Sequence, residues 1–261
     1  MISPVRYHPL LRCGLFCLFY YLFFLLLGPL PAVVAATGLM LLAFEQRSPA
    51  FIGFSLERGW PREFAAGFLM GGVLVGSMAA AFFVSGQVIW EGSVGFNSAQ
   101  CASWAGLFFL YAAGEEVLFR GYGFQRLLEA TGPACGVAVS SLLFGVVHLG
   151  NPGATTLGVV ITVLVGILFA LAYLRTRQLW LPIGLHWAWN LAEAMVGFRV
   201  SGIRIGGMPL VATPVGPPHG NQWITGGDYG PEGGLAGMVV IAAGIGCLLL
   251  VPEAKGRDDA S

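Results

Sequence analysis

Charge is what this chain has least of. Of its 261 residues only 10% are Asp, Glu, Lys or Arg, while 56% are hydrophobic. A soluble domain carries about 25% charged residues, so a water-soluble globule is excluded. The formal net charge is zero, which leaves no basic face for nucleic acid and no acidic tail. Cysteine is scarce and odd in number. Cys13, Cys17, Cys101, Cys135 and Cys247 lie in or beside apolar segments, with no CxxC knuckle and no disulfide framework. HExxH and GxSxG are both missing, which removes the zincin helix and the activated-serine elbow. Asp228 follows Gly226-Gly227 but has no second intramembrane aspartate to form an acid pair. No period marks tandem repeats.

What is present is a series of long apolar runs. A spanning helix needs about 20 apolar residues, and runs at 64–86, 102–119, 133–149, 154–174, 180–197 and 234–251 qualify. The stretch 11–44 is too long for one ordinary span and is broken by Gly28-Pro29-Leu30-Pro31. It is either one kinked helix or a pair of short segments that enter and leave on the same side. Arg6 and Arg12, the run 13–27 and Val34-Ala35-Ala36 also fit a signal peptide with a small-residue cleavage site.

Cation placement favours the pair. With an even number of crossings in 11–44, the cytoplasmic segments hold Arg6, Arg12, Arg47, Arg58, Arg62, Arg120, Arg126, Arg175, Arg177, Lys255 and Arg257, leaving Arg199 and Arg204 outside. The expected architecture is an all-α polytopic bundle of about eight spans in one domain, 1–261. Both termini are cytoplasmic, and the setting is a cytoplasmic membrane of bacterial type. Small-xxx-small pairs Gly67/Gly71 and Gly72/Gly76 read as packing. Residues 45–63 form a short inner connector and 87–101 a polar outer loop. The segment 198–233, with Pro214, Pro217, Pro218 and Gly230-Pro231, forms an extended external loop in which no helix is expected. The span 234–251 closes the bundle ahead of a polar tail, 252–261.

Polar groups inside spans cost about 2.5–3.5 kcal/mol each on insertion scales, so each calls for a reason. The core 102–197 holds three clusters. Glu115-Glu116 precedes Arg120, and the i,i+4 spacing of Glu116 and Arg120 lets them neutralise each other. Glu115 points about 100° away and lacks that partner, the usual condition of a general acid or base. Phe144 and His148 close another span, 133–149. His186 and Asn190 share a helical face, with Glu193 extending it. Singly, each cluster fits an interhelical hydrogen bond or a structural ion pair. Together they imply one shared cavity rather than three separate polar networks. A carboxylate beside an imidazole activates water, and a second imidazole with a carboxamide donates to a developing oxyanion. Those are the parts of peptide-bond hydrolysis without a protein nucleophile. Glu115, His148 and His186 also make an accepted zinc set, with Asn190 a weak fourth ligand.

In combination, EExxxR, FxxxH and HxxxN on successive spans resemble the three motifs of the CAAX protease and bacteriocin-processing (Abi) family, which includes the type II CAAX prenyl endopeptidases. The resemblance runs from Glu115 to Asn190. It implies an eight-helical intramembrane endopeptidase in which Glu115 and His148 activate water, His186 and Asn190 stabilise the tetrahedral intermediate, and Glu116 and Arg120 brace the site. The family has been labelled metalloprotease, and a metal-free glutamate mechanism is also argued for it; the metal-free route is the preferred expectation here and zinc the alternative. The implied partner is a membrane-associated or lipidated protein or peptide within the lipid bilayer. Two readings from other classes stand beside it. An ion-coupled transporter uses the same intramembrane residue types, although the expected inverted repeat is not visible. A non-catalytic immunity or scaffold protein would use them for structure alone.

Overall fold

The computed structural model describes residues 8–57, 59–215 and 221–252. Arg6, Arg58, Lys255 and Arg257 of the cation pattern, Pro217, Pro218 and most of the tail lie outside them. The fold is an all-α membrane bundle. Helix α1 spans Pro9–Leu27 and α2 spans Pro29–Leu39, continued by a π-helical turn, Met40–Glu45. Gly28, at φ 79°, separates α1 from α2, so 11–44 forms two helices packed along each other. There follow α3 (Trp60–Ser85), α4 (Ser98–Arg120), α5 (Tyr122–Thr131), α6 (Pro133–Val147), α7 (Thr156–Thr176), α8 (Trp180–Met195), the single turn α9 (Gln222–Thr225) and α10 (Leu235–Leu250).

Among the described residues four helices are long and apolar enough to cross a membrane: α1, α3, α6 with its following turn, and α7. The stretches 29–45 and 235–250 are apolar but shorter. Helices α4 and α8 are in neither group, and they are the two that carry most of the candidate polar site. The site chemistry itself weakens their apolar signal.

Two segments expected as plain loops are partly ordered. Strand β1 (Val88–Gly92) pairs antiparallel with β2 (Leu210–Pro214), with Val88 opposite Pro214 and Gly92 opposite Leu210. Both runs are rich in β-branched residues, which suit a pleated ribbon. Their separation in the chain hides the pairing from any local pattern. Within 198–233, Gln222–Thr225 makes one helical turn and Pro231–Gly233 a 3-10 turn. The expectation of no helix there is corrected to this extent, because a single turn needs no long propensity window.

Packing centres on α7, apolar all round and the most enclosed span. Ile161, Leu168 and Phe169 from α7 join Met78 of α3, Leu185 and Trp189 of α8 and Ile241 of α10 in the main core. A second cluster joins Phe16 of α1, Met40, Tyr122 of α5, Tyr173 and Ile183. The apolar outer face of α1, with Leu18, Leu22, Leu25 and Leu26 exposed, has the character of a lipid contact. One end of α1 is fastened by charge. Arg12 meets Glu45 at 2.8 Å and Glu129 at 3.0 Å, and the Tyr122 hydroxyl donates to Glu45 at 2.6 Å.

Helix α8, which bears two candidate site residues, lies closest to α3. A Cβ at Gly67 or Gly71 would run into the α8 backbone at Leu181 and Leu185, and one at Gly184 into the carbonyl of Phe64. The Gly67/Gly71 pair thus makes a backbone-to-backbone contact, as small-xxx-small spacing implies. Around Gly72 and Gly76 there is open space within 4 Å, so the second pair has no such role inside the chain. Gly71→Leu is expected to destabilise the protein by about 1–3 kcal/mol through overpacking. Gly76→Ala should stay within about 0.5 kcal/mol of the parent. Thermal unfolding of the two variants in detergent checks this, and equal melting would contradict the α3–α8 contact.

Candidate active site

The α4 sequence Glu115-Glu116-Val117-Leu118-Phe119-Arg120 sets two carboxylates on adjacent positions of one helix, about 100° apart. Glu116 is turned inward and fully buried, as is Arg120 one turn later. Arg120 Nη1 donates to Glu116 Oε1 at 3.2 Å, and Nη2 donates to the Gly166 carbonyl of α7 at 2.8 Å. The guanidinium also lies over the rings of Phe144, Phe169 and Phe119, at 4.7, 5.3 and 5.8 Å from their centroids. Three aromatic faces give a buried cation a favourable non-aqueous setting.

His186 is bound to the same carboxylate. Its Nδ1–H donates to Glu116 Oε1 at 2.9 Å, and its Nε2 faces Glu115 Oε2 at 3.9 Å. Its ring stacks on Phe169, centroids 4.6 Å apart and planes 23° apart, while Phe144 meets it edge-on at 6.2 Å. Glu116 is therefore shared by Arg120 and His186, and the brace expected from the sequence acts directly on an imidazole. Glu115 keeps a third of its side-chain surface exposed. Its Oε2 has no hydrogen-bond partner among the described residues.

His148 caps α6, where its Nδ1–H donates to the carbonyl of Phe144 at 2.6 Å. That bond places the acceptor lone pair of a neutral ring on Nε2. No ion pair within 4 Å links His148 to Glu115 among the described residues, so any joint action on one solvent molecule spans a gap. Asn190 follows His186 by one turn of α8. Glu115, His148, His186 and Asn190 all line a single cavity of about 970 Å³. Glu193 does not line it. That side chain is fully buried and faces Glu232 instead.

Packing around the site adds residues that the motifs do not signal, Phe169 under His186 first among them. Phe169 sits in a uniformly apolar helix, where nothing distinguishes it from neighbouring core positions. Asn151, Val200, Ser201, Ile203 and Ile205 form part of the wall and lie outside the three motifs. Cys17, Tyr20 and Phe24 of α1, with Leu30 and Val33 of α2, line an apolar arm. The zinc alternative meets a plain geometric test. Among the described residues no three His, Cys, Asp or Glu side chains gather as metal ligands, so Glu115, His148 and His186 are not arranged as a zinc set.

Comparison with known proteins finds a family match over the segment that carries this site. Residues 97–192 match the model of the Rce1-like family, described as type II CAAX prenyl endopeptidase Rce1-like. The resemblance carried by the three motifs is thus borne out over that segment. Among curated proteins, the chain is 34% identical over 76 residues to a Bacillus subtilis (strain 168) protein named "Putative membrane peptidase YdiL". The match spans 29% of this chain and 29% of that relative's length. No solved structure matches the chain. The comparisons support a membrane protease at the level of the family.

Removing one member of a buried ion pair strands the other charge, at a cost of about 3–5 kcal/mol. Arg120→Met is expected to lower stability by that amount, and adding Glu116→Gln should recover part of the loss. Denaturation of the single and double variants in detergent measures the difference. A double variant less stable than Arg120→Met alone would rule out the charge argument.

Proposed function

We propose that the protein is an intramembrane endopeptidase that hydrolyses a peptide bond in a membrane-associated or lipidated protein or peptide. The observation that supports the reading is that Glu115, His148, His186 and Asn190 all line one cavity, within a segment that matches a peptidase family.

Roles follow from how each ring is held. His148 gives its Nδ1–H to a backbone carbonyl, so its Nε2 accepts. It and Glu115 take opposite sides of the attacking water, and Glu115 receives the proton. His186 lies between two carboxylates, Glu116 at Nδ1 and Glu115 at Nε2. A ring protonated on both nitrogens is balanced by them, and its Nε2–H then donates into the cavity. Asn190, one turn away on the same face, adds a carboxamide N–H. The water oxygen bonds to the scissile carbonyl carbon, and the carbonyl electron pair moves onto oxygen, where His186 and Asn190 donate to it. Collapse breaks the C–N bond, and the proton held by Glu115 passes to the leaving amine. The apolar arm along α1 and α2 suits the lipid chain or apolar flank of the substrate. The eight crossings, cytoplasmic termini and cytoplasmic-membrane setting of the sequence reading are part of this proposal.

Glu115→Gln is expected to lower kcat by about 10²–10⁴-fold, and Asn190→Ala by about 10²–10³-fold. The assay is mass-spectrometric detection of cleavage by purified protein in liposomes, over a panel of membrane-anchored peptides that includes a prenylated CAAX-type peptide. If the parent cleaves none of them yet supports an ion flux that Glu115→Gln abolishes, transport is the better reading. If His148→Ala and His186→Ala leave the cellular phenotype intact, a scaffold role replaces catalysis.

A further inference from the structure

Three strong donors converge on one buried acid that lies outside the matched segment. Glu232, in the 3-10 turn before α10, is 7% exposed. Its Oε1 accepts from Trp189 Nε1 at 3.0 Å, and its Oε2 accepts from Ser201 N at 3.0 Å and Ser201 Oγ at 2.7 Å. Trp189 is the residue immediately before Asn190. Ser201 lines the reactive cavity together with Val200, Ile203 and Ile205. Neighbouring Glu193 is fully buried, and Trp189 bonds Glu232 with the better geometry.

The chain at Ser201 has an unusual form. Val200 N donates to Ile203 O and Ile203 N to Val200 O, both at 2.9 Å, closing a two-residue turn. Ser201 and Gly202 sit at its centre with φ 46° and φ 86°. Positive φ at both central positions is the type I′ pattern, normally built from Asn, Asp or Gly. Gly202 meets the need for a close approach, since a Cβ there would strike the carbonyl of Pro152. Ser201 is a strained choice for a left-handed position. A turn of this kind persists when its surroundings over-determine it. The two bonds to Glu232 do so, reinforced by the Gly202 N to Tyr229 O bond at 2.7 Å and the Tyr229–Thr162 hydroxyl contact at 3.1 Å.

We infer that Glu232 is a positioning residue for the proposed hydrolysis, holding the Val200–Ile203 turn as a wall of the substrate cavity beside Asn190. The wall it presents is apolar at Val200, Ile203 and Ile205, so it selects an apolar substrate side chain near the scissile bond. The selectivity claim rests on the hydrolase reading, whereas the wall itself does not.

The test uses the full chain in detergent and a thiol introduced behind the turn, Ala194→Cys, at a side chain 1% exposed in the cluster that includes Val200. Its labelling by N-ethylmaleimide is followed at that one peptide by mass spectrometry. Adding Glu232→Gln, which exchanges one acceptor oxygen for a donor, is expected to speed labelling at least several-fold. Ser201→Val, a β-branched residue at a left-handed position, removes the Oγ donor to Glu232 while keeping the carboxylate; it should do the same, and it decides the matter if Glu232→Gln fails to fold. Ser201→Gly added to Glu232→Gln should restore slow labelling, because glycine holds the turn without the acid. In the cleavage assay, Glu232→Gln is expected to raise KM several-fold for a peptide with an apolar residue next to the cut, with kcat changed less. Unchanged labelling in folded Glu232→Gln and Ser201→Val overturns the inference and leaves the hydrolase reading standing. Gated labelling in a parent that cleaves nothing overturns the selectivity claim along with the hydrolase reading, and keeps the wall.

Discussion

A carboxylate with no exposed surface, deep in an apolar bundle, is the constraint on which the site depends. Glu116 is stable there only because Arg120 and His186 both reach its Oε1. An uncompensated buried ion is costly enough that a protein without those partners would neutralise or expel it. Arg120 in turn needs the Gly166 carbonyl and three aromatic faces to stand away from water. The ion pair therefore does more than cancel two charges. It fixes α4 against α7 and α8, and it fixes the plane of an imidazole whose other nitrogen points at Glu115.

Two adjacent glutamates on one helix thereby acquire different environments. Glu116 is held by structure: Arg120 and His186 both bond its Oε1, and its Oε2 is buried without a hydrogen-bond partner among the described residues. Glu115, one residue earlier, is partly exposed and lines the cavity, with its buried Oε2 facing His186 Nε2 at 3.9 Å. Residues in sequence contact but about 100° apart on a helix can be separated in this way without any change in the backbone. The distinction needs no difference in residue type, only a difference in what each direction meets.

How much of this could be read in the sequence follows from the range of each interaction. The Glu116–Arg120 pairing is an i,i+4 relation and was legible, as was the shared face of His186 and Asn190. Membrane residence was legible from composition alone, and the break at Gly28 from its flanking prolines. The bond from His186 to Glu116 was not, because nothing local says which face of α8 meets which face of α4. Phe169 was hidden for another reason: its role is to be a flat apolar surface, and α7 offers many. The β1–β2 ribbon and the Ser201 turn were hidden because their partners lie far along the chain. Glycine and proline density identified 198–233 as irregular without revealing that it walls the cavity.

The weak apolar signal of α4 and α8 has a physical consequence. A segment that carries Glu115, Glu116 and Arg120, or His186, Asn190 and Glu193, is a poor membrane span in isolation. Such helices become acceptable only when neighbouring elements keep lipid from their polar faces. That covering role falls to α7, apolar all round at the centre, and to α3, whose glycines bring it against the α8 backbone. Close packing behind α8 and an open cavity in front of it are therefore two sides of one arrangement. The rear contact must be tight enough to exclude lipid and hold the helix, so that the front can present polar groups to the cavity.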